Sequence, residues 1–517
     1  MIPVTNPLIE AILAYNQLSD DQILQLTHPF ELKPSQNELF SLAKEMILTA
    51  IQNKKKIIIC GDYDCDGLCG TSILVLTLRK LGADVGFYIP NRFEDGYGLH
   101  PNTVKKALDK GYELFITVDN GVSAFEALDL IKQHQAQVIV VDHHEITASV
   151  DANILLHPML LEEGHTNLCG SGLAHQLSHH LIGYDPYITA LAGTATIADM
   201  MPLWDYNRVL VTTALQEINH HLFAQFKTLL KPDIQSINEE ILAFQVIPKI
   251  NAVGRLADLA NVNRVVDFLC SELREQIESL SIQIQAINEQ RKVINQTMYA
   301  KALTMIEDTK VLILKDESFH EGVVGITAGR LANEFKRPAI VMHDNGQRLK
   351  GSARSYGDID LRALLEIGLP YLNRYGGHAA AAGLELDVSN FAQFKSLING
   401  QVFDIEAHSL IPKSLPFKSD LITVDNFKAL KTLAPFGMGF EIPLFEVSGI
   451  QCISSRIIKG GKMAQLSING EKYNSVYFSQ NVETNDICDP DKTLFCRLSL
   501  DEYALNTKLK LLIERVI

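Results

Sequence analysis

Short apolar runs alternate with amphipathic stretches through the N-terminal third of the chain. Four runs rich in β-branched or aromatic residues end at Cys60, Ile89, Val118 and Val141. The stretches between them carry apolar residues at helical spacing and are predicted to return the chain across a sheet. Strands separated by helical crossovers predict a mostly parallel, right-handed sheet, so the expected fold class is α/β.

Acidic residues stand after three of these four strands. The carboxyl ends of parallel strands share the edge where open α/β sheets bind ligands, so we expect these acids to meet. Carboxylates this crowded repel one another unless cations neutralise them, which predicts a divalent-metal site. A lone acid after a strand is commonly a helix cap, but repetition on three strands favours metal. The residues are Asp62, Asp64 and Asp66 after the first strand, Asp119 after the third, and Asp142, His143 and His144 after the fourth.

Two further residues are expected near the same edge. Arg92 follows the second strand, and Asp199 ends the apolar segment 190–198. A carboxylate that ends a buried segment needs a partner, so Asp199 is a fifth contributor to the predicted site.

The segment 62–67 also matches the start of an EF-hand calcium loop. That loop requires a bidentate Glu six residues after its glycine. Ile73 occupies the position here, so the EF-hand interpretation is excluded.

A long helix is predicted after Gly254, because no glycine or proline occurs before Gly322. Apolar residues in this segment follow a four-three spacing that gives the helix one apolar face. We expect a connector between two lobes of a cleft; the alternative is a dimerising coiled coil. The apolar residues are Ile277, Leu280, Ile284, Ile287, Ile294 and Met298.

A second α/β unit is predicted after this helix. Arg354 and Ser355 end a Gly-Ser-Ala-Arg-Ser motif, and a forked guanidinium beside a hydroxyl suits phosphate oxygens. Gly377 and His378 precede four alanines and Gly383, and a stretch so poor in bulk lets the backbone approach a ligand closely. The alternative is that these small residues only allow a helix to pack closely on a sheet.

Short runs of alternating apolar and polar residues in the last hundred residues predict antiparallel hairpins, one of them with an Asn469-Gly470 turn. Their number and position predict a small OB-like β-barrel, which binds single strands through aromatic and basic side chains. The candidates are Arg456, Lys459, Lys462, Tyr473, Tyr477 and Phe478, about half of which are expected to serve the core or solubility.

Composition limits the classes of partner. The chain has 517 residues, 47% of them hydrophobic, and a net charge of -15 that argues against indiscriminate polyanion binding. No apolar stretch reaches membrane length and the N-terminus lacks a signal pattern, so we expect a cytoplasmic protein. Cys60, Cys65 and Cys69 fit neither a zinc site nor a disulfide framework and are expected to be reduced.

Several motifs together resemble the DHH phosphoesterase superfamily, and later motifs resemble its RecJ branch, over residues 55–450. The first set is Gly61–Gly67, Arg92 with Gly96–Leu99, Asp119–Gly121, Asp142–His144 and Ala198–Leu203. The second set is Ile250–Leu256, Gly351–Ser355, Gly376–His378 and Pro435–Gly439.

The resemblance implies roles for individual residues. Two divalent ions, Mn²⁺ in preference to Mg²⁺, are held by Asp64, Asp66, Asp119, His143 and Asp199, with Asp119 as the bridge and Asp62 as a further ligand or a partner of one. His144 meets the scissile phosphate, or else only orients a ligand. Arg354, Ser355 and Arg255 recognise a 5′-terminal phosphate, and Gly377 and His378 approach the nucleic-acid backbone near the metals.

Two positions depart from the family pattern. Cys60 stands where some members have His, and we expect its thiol to pack rather than to bind metal. Gly170-Ser171-Gly172 replaces Gly-Ala-Gly at a helix start, which either presents amides to a phosphate or forms a tight packing turn.

The implied activity is a two-metal exonuclease that degrades single-stranded DNA from its 5′ end in repair and recombination. The expected partners are a helicase and a single-strand-binding protein, with the chain itself a monomer. The alternatives are a phosphodiesterase for short oligoribonucleotides or cyclic dinucleotides, and an inactive Cdc45-like scaffold. The expected organisation is a helical lead-in at 1–54, a DHH catalytic domain at 55–250, a connecting helix at 251–308, a DHH-associated α/β domain at 309–405 and an OB-like β-barrel domain at 413–517.

Overall fold

Three β-sheets follow one another along the chain, as seen in a computed structural model. The structure describes residues 6–28, 31–96, 98–357, 359–400, 413–458, 461–478, 486–501 and 508–517. We refer to the units built on these sheets as the first, second and third domains.

The first sheet is parallel throughout, with strand order β2-β1-β3-β4-β5. Its central strands are buried on both faces, which is why they read as unbroken apolar runs. Val118 lies opposite Val141 and Cys60 opposite Thr117, so the strands end in line and bring the acids that follow them to one edge. The strands are β1 Lys56–Cys60, β2 Val85–Tyr88, β3 Tyr112–Val118, β4 Gln137–Val141 and β5 Ile154–Leu156.

Helices cover this sheet and extend beyond it. A five-residue π-helix at Leu242–Val246 runs directly into α12. The helices are α1 Pro7–Asn16, α2 Asp20–Thr27, α3 Glu38–Gln52, α4 Cys65–Lys80, α5 Pro101–Asp109, α6 Phe125–Gln133, α7 Gly170–Ile182, α8 Pro186–Ala198, α9 Asp205–His221, α10 Ala224–Leu229, α11 Glu239–Ile241, α12 Ile247–Arg255, α13 Asn263–Cys270 and α14 Arg274–Leu303.

The N-terminal helices serve two different domains. Phe40 and Ile47 of α3 lie in the core of the first domain. Leu8 and Ile12 of α1 lie in the core of the third domain. The helical lead-in therefore ties the start of the chain to its end.

The 30-residue helix α14 joins the first two domains. Ile277 and Ile284 near its start belong to the core of the first domain. Met298 and Ala302 near its end belong to a core that α15 (Val324–Phe335) and β6 (Leu312–Asp316) of the second domain complete. Packing within the chain covers the apolar stripe at both ends, so the helix is a connector, as the sequence predicts.

The second domain contains a mixed sheet with strand order β6-β7-β8-β10-β9. Only β6 and β7 form a parallel pair, and the later strands are antiparallel. Its elements are β6 Leu312–Asp316, α15 Val324–Phe335, β7 Ala339–Asp344, β8 Arg348–Arg354, α16 Leu361–Ile367, β9 Leu372–Gly377, β10 Ala381–Asp387 and α17 Phe391–Asn399.

The third domain is a seven-stranded sheet with strand order β11-β12-β16-β17-β15-β14-β13. Its elements are β11 Ser414–Pro416, α18 Val424–Lys431, β12 Leu444–Val447, β13 Gln451–Ile458, β14 Gly461–Ile468, β15 Glu471–Tyr477, β16 Leu494–Asp501 and β17 Lys508–Val516.

The side chains predicted to bind nucleic acid in the third domain divide into two groups. Tyr473 and Tyr477 are buried in its core, and Lys462 pairs with Asp486. Phe478 is 70% exposed, and Arg456 lies on the exposed edge strand β13. These two remain candidates for contact with a single strand, whereas Lys459 lies outside the described residues.

The motif Pro435–Gly439 forms the junction between the first and third domains. The Leu203 amide donates to Met438 O at 2.9 Å, and Trp204 Nε1 donates to Gly439 O at 3.0 Å. Arg208 is buried at this junction and its guanidinium donates to Pro435 O at 3.1 Å. This motif therefore has a structural role in docking the third domain.

Six cysteines are free and buried, including the three of the first motif. Cys452 of β13 and Cys488, by contrast, form a disulfide between positions 36 residues apart. No local signal in the sequence indicates this pair, because the two cysteines are 36 residues apart and meet only in the folded third domain.

Among the described helices, none combines the length and the apolar character needed to cross a bilayer.

Candidate metal centre and phosphate-binding cluster

The loop after β1 places three carboxylates around the start of α4. Asp64 is the N-cap of α4, and its Oδ1 accepts the amides of Asp66 at 2.9 Å and Gly67 at 3.2 Å. A Cβ at Gly67 would lie 2.5 Å from the backbone nitrogen of Asp62, so only glycine fits there. Asp64 is thus a helix cap, and this leaves its second oxygen directed away from the capping bonds.

The start of α7 holds Asp66 in place. The amides of Gly170 and Ser171 donate to the two carboxylate oxygens of Asp66 at 2.7 and 2.8 Å. Ser171 Oγ also donates to Asp66 O at 2.7 Å. The amides at this helix start therefore orient a carboxylate of the protein rather than face a phosphate. A Cβ at Gly170 would lie 2.7 Å from that of Asp119, which explains the glycine.

His143 lies among acids from three separate elements. Its Nε2 is 3.2 Å from Asp119 Oδ1, 3.5 Å from Asp199 Oδ2 and 3.9 Å from Asp66 Oδ2. Asp119 itself has a left-handed backbone with φ of +61°, which turns its side chain in from the end of β3. The side chains predicted from the ends of different strands therefore meet.

The six predicted ligands form two groups of three. In each group, one potential ligand atom per residue lies within 4.8 Å of the others. The first group is Asp62, Asp64 and Asp119, and the second is Asp66, His143 and Asp199. The contact between Asp119 and His143 joins the groups. We call these six residues the metal centre.

Crowding and burial disfavour the charged state of these acids. Burial and then Asp64 raise the pKa of Asp62 well above its usual range. Burial also raises the pKa of Asp119, and the neighbouring carboxylates, of which Asp66 has the largest effect, raise it further. Burial followed by Asp66 raises the pKa of Asp199 to about 8. An acid cluster that repels itself in this way gains most from bound cations.

The donor set fits divalent cations. Asp62 Oδ1 is buried and accepts no hydrogen bond from any described residue, although an isolated buried carboxylate oxygen is costly. Carboxylate oxygens are ligands for Mg²⁺ and Mn²⁺ alike, and one imidazole among them favours Mn²⁺. Cys60 lies outside this donor set: its thiol packs in an apolar cluster, and burial raises its pKa to about 12.

Asp142 holds His144 beside the metal centre. His144 Nδ1 is 2.8 Å from Asp142 Oδ1, which also accepts the amides of His143 and His144. The Val122 amide donates to the second oxygen at 2.9 Å. Burial lowers the pKa of His144, but the bond to Asp142 outweighs it and the net direction is upward. The His144 side chain remains 41% exposed, so it faces the space in front of the acids.

Three arginines come together near the metal centre, from the loop after β2, the end of α12 and the end of β8. Burial, then Arg92 and Arg354, lower the pKa of Arg255 to about 10. Burial, then Arg92, lower the pKa of Arg354. The arginines that pair with a carboxylate within 4 Å in the described part of the chain are others, such as Arg264, Arg348 and Arg497, and these three are not among them. We call Arg92, Arg255 and Arg354 the arginine cluster.

Two of these arginines are held by their surroundings. Arg92 lies 5.3 Å from the centroid of the Tyr63 ring, a cation–π contact. Arg354 Nη1 donates to Ser352 Oγ at 2.7 Å and Ala353 O at 2.8 Å. A Cβ at Gly325 of α15 would lie 3.0 Å from Arg354 Nη2, so this glycine makes room for the guanidinium.

Other predicted substrate residues shape a turn in the second domain. Gly377 has φ of +139°, and a Cβ there would lie 2.4 Å from Ala381 O. The His378 amide donates to Ala381 O at 2.8 Å and leaves the His378 side chain exposed. Ser355 Oγ donates to Ile359 O within its own loop. Described contacts do not link His378 or Ser355 to the metal centre.

Two positioning residues were missed by sequence reasoning. Asp142 appeared only as an acid after a strand, although its spacing to His144 was visible. Asn251 Oδ1 accepts the Cys65 amide at 2.8 Å and so fixes the start of α4 from α12. Its place in the motif 250–256 was the only available signal, because Cys65 is 186 residues away.

Three family models match successive parts of the chain. They are the DHH family N-terminal domain at residues 56–201, the DHHA1 domain at 308–403 and the RecJ OB domain at 415–515. The last match bears out the OB-like class predicted for the third domain.

Curated relatives and solved structures agree with these models. Single-stranded-DNA-specific exonuclease RecJ of Salmonella typhimurium is 30% identical over 92% of this chain and 89% of the relative. The RecJ of Bacillus subtilis is 35% identical over 79% of this chain, which spans 53% of that relative. The crystal structure of RecJ from Thermus thermophilus in complex with Mn²⁺ is 25% identical, with a TM-score of 0.82 over 98% of this chain and 77% of that one. The expected family and fold class are confirmed: this chain belongs to the RecJ family of single-stranded-DNA-specific exonucleases.

Proposed function

We propose that this chain is a metal-dependent exonuclease that hydrolyses single-stranded DNA from its 5′ end. The observation that carries the proposal is the meeting of two three-residue ligand groups beside three arginines that form no ion pair with a carboxylate in the described part of the chain. Acids gathered in this way hold cations, and the arginines hold phosphate. Together they form a site for a phosphodiester that ends in a free phosphate.

The two groups of the metal centre are assigned to two ions. Asp62, Asp64 and Asp119 hold one ion, and Asp66, His143 and Asp199 hold the other, with Asp119 between them. When bound, a pair of divalent ions activates a water molecule and stabilises the charge that develops on a displaced phosphodiester oxygen. Mn²⁺ is the expected ion, and Mg²⁺ is the expected substitute.

His144 is assigned to the scissile phosphate. Asp142 holds its Nδ1, and we assign its Nε2 to the substrate. A donor at Nε2 stabilises a phosphate oxygen as negative charge builds up on it. Asp142 fixes the direction of the ring, and the proton shared between the two side chains stays on Nδ1.

The arginine cluster is assigned to the terminal phosphate. Guanidinium groups bind phosphate oxygens in pairs, and a 5′-terminal phosphate offers more charge than an internal one. Because this cluster borders the metal centre, a strand bound by its 5′ phosphate presents a bond near that end for hydrolysis. Ser355, Gly377 and His378 are assigned to the strand that leads away from this point.

Restriction to single strands follows from the expected role of the third domain. OB folds bind single strands through stacking and basic contacts, and Phe478 and Arg456 are exposed for this purpose. A duplex must be opened first, so we expect a helicase and a single-strand-binding protein as partners in repair and recombination. We expect the chain to act as a monomer.

A substrate comparison tests the proposal. The protein is incubated with Mn²⁺ and, separately, with 5′-phosphorylated single-stranded DNA, the matching duplex, a dinucleotide RNA and cyclic di-AMP. We expect stepwise release of nucleotides from the single strand labelled at its 5′ end, with the other substrates much slower. Asp119→Ala is expected to abolish release, and Asp109→Ala, at the exposed end of α5, to retain it.

Other outcomes would reject the assignment. Preference for the RNA dinucleotide or the cyclic dinucleotide would make the chain a phosphodiesterase of short nucleotides. Inactivity on all substrates with Mn²⁺ and with Mg²⁺ would indicate a scaffold. Release from the 3′ end would overturn the role of the arginine cluster.

A further inference from the structure

A second group of metal-ligating side chains lies at the far end of α9. Asp199 of the metal centre stands next to the start of this helix. The side chains of Glu217, His220 and His221 stand in its last turns. A helix of 17 residues is about 25 Å long, so this group is separate from the metal centre.

Helical spacing brings the three side chains to one face. Positions i, i+3 and i+4 are neighbours on a helix surface. One ligand atom each from Glu217, His220 and His221 lies within 4.8 Å of the other two. Glu217 Oε2 and His221 Nε2 are 3.1 Å apart, close to the spacing of about 3.3 Å between two ligands of a tetrahedral Zn²⁺.

Neighbouring residues hold two of the ligands in place. The Tyr184 hydroxyl donates to Glu217 Oε1, which leaves Oε2 directed at the histidines. The His221 ring stacks on Phe223 with centroids 5.2 Å apart and planes at 24°. Hydrogen bonds of this kind to a ligating carboxylate are common around protein metal sites, because they fix the ligand before the ion arrives.

Helix polarity also favours a cation at this point. The last carbonyl groups of a helix form its negative end, and positive charge is stabilised there. The His220 and His221 rings lie 4.6 Å apart and supply two imidazoles beside a carboxylate. An ion pair between His221 and Glu217 would explain one contact, but it would not explain why His220 also turns toward the same point.

We propose that Glu217, His220 and His221 form a third metal site that takes Zn²⁺ or a similar borderline transition ion. Two imidazoles and one carboxylate suit Zn²⁺ better than Mg²⁺, which prefers oxygen ligands. Three protein ligands leave one position for water on the exposed side. The site is also connected to the turn before α8, because Tyr184 lies in that turn and its hydroxyl donates to Glu217. This inference does not depend on the proposed nuclease activity.

Metal counting tests the site on the full chain. The protein is kept saturated with Mn²⁺, Zn²⁺ is added in steps, and free Zn²⁺ is followed with a coloured indicator. We expect wild type to bind one more equivalent of Zn²⁺ than the His220→Ala/His221→Ala variant. His134→Ala removes another exposed histidine, at the end of α6, and is expected to keep the full count.

Two milder variants separate ligation from folding. Glu217→Gln keeps the shape of the side chain and is expected to weaken Zn²⁺ binding at least tenfold. Tyr184→Phe removes only the hydroxyl that orients Glu217 and is expected to weaken binding about tenfold with the count unchanged. Equal counts and equal affinities in wild type, the double variant and Glu217→Gln would overturn the proposal. Loss of the extra equivalent in His134→Ala would also overturn it.

Discussion

Asp142 Oδ1 lies 2.8 Å from His144 Nδ1, and the same oxygen accepts the amides of both histidines that follow it. One carboxylate therefore sets the direction of the chain after β4 and the direction of the second imidazole. His143 faces the metal centre, whereas His144 faces the space where a substrate phosphate is expected. The two neighbouring histidines therefore point in different directions, and one acid that is not itself a member of the metal centre orients both.

Asp142→Asn tests whether Asp142 acts through His144. We expect kcat to fall about 10²-fold with KM nearly unchanged, because His144 loses its fixed direction but substrate contacts remain. Mn²⁺ content is expected to stay at the wild-type value. The measurement compares Asp142→Asn, His144→Ala and the double variant. If the decreases in kcat of the two single variants multiply in the double variant, the residues act separately, and the assignment of Asp142 as a positioning residue is wrong.

Gly170→Ala tests the close packing between α7 and Asp119. The added methyl group would lie 2.7 Å from the Asp119 Cβ and 2.9 Å from its Cα. We expect a loss of about 1–3 kcal/mol in the free energy of unfolding and weaker Mn²⁺ binding, because Asp119 must move. Gly172→Ala is the matched control: its nearest contact is a Leu168 side-chain atom at 3.3 Å, and it is expected to cost less. Urea unfolding with and without Mn²⁺ measures both effects, and equal costs for the two variants would contradict the packing argument.

Arg354→Lys tests recognition of the terminal phosphate. Lysine keeps the charge but loses the planar fork, so we expect the preference for a 5′-phosphate over a 5′-hydroxyl to fall about tenfold. The loss is expected in KM more than in kcat, because the phosphate binds in the ground state as well. Arg348→Lys changes another arginine of β8, one that pairs with Glu385 at 2.6 Å, and is expected to keep the preference. An unchanged preference in Arg354→Lys would remove this residue from the phosphate site.

Mn²⁺ is expected to stabilise the fold through the metal centre. An ion at 100 times its dissociation constant adds about 2.7 kcal/mol per site to the free energy of unfolding. In Asp119→Asn we expect this gain to shrink strongly, while the metal-free variant is at least as stable as wild type because one repelling carboxylate is gone. Asp109→Asn should keep the full gain. Thermal unfolding with chelator and with Mn²⁺ measures both, and an Asp119→Asn protein that keeps the full gain would show that Asp119 is not a ligand.

Buried His175 is expected to make the fold sensitive to acid. The Tyr206 hydroxyl donates to Nδ1 at 3.0 Å, and Nε2 is 3.1 Å from Thr189 Oγ1, whose proton goes to Asp185 O. These bonds suit a neutral ring, and burial lowers the pKa of His175 to about 3. The His175 ring therefore takes up a proton in the unfolded chain at a pH where it stays neutral in the folded chain. As a result, the free energy of unfolding falls as the pH drops below about 6.5.

The size of this effect can be measured in one variant. Between pH 7 and pH 5, wild type is expected to lose about 2 kcal/mol more than His175→Gln, which cannot take up a proton. His134→Gln, at an exposed position, is expected to follow wild type. Denaturant unfolding at the two pH values gives the difference, and parallel curves for wild type and His175→Gln would contradict it.

The sequence predicts the first domain well because its signals are local. Each central strand is an apolar run that ends at or just before an acid, so the parallel sheet and the edge that carries Asp62, Asp119 and His143 follow from spacing, whereas the strand order was not predicted. The signal for the long helix α14 is equally local, since apolar residues recur at helical spacing along it and Arg291 alone interrupts the series. The choice between a connector and a coiled coil needed the structure, which shows Ile277 and Met298 in different cores.

The sequence does not predict contacts between distant segments. Nothing near Gly170 indicates that its amide donates to Asp66, 104 residues earlier, instead of to a ligand. The disulfide between Cys452 and Cys488 also joins distant segments, which are 36 residues apart. In the third domain, alternation predicts strands but not which face is covered, so buried Tyr473 and exposed Phe478 look alike in the sequence.

The arginine cluster takes members from two domains, and those domains touch at one of its members. A Cβ at Gly322 of the second domain would lie 1.8 Å from Arg255 O, so the two backbones meet there without intervening side chains. Separation of the domains would carry Arg354 away from Arg92 and Arg255. An anion that contacts all three arginines must therefore stabilise the contact between the first and second domains. By thermodynamic reciprocity, that contact must strengthen binding of the anion. Binding of such an anion and contact between the two domains are in this way coupled.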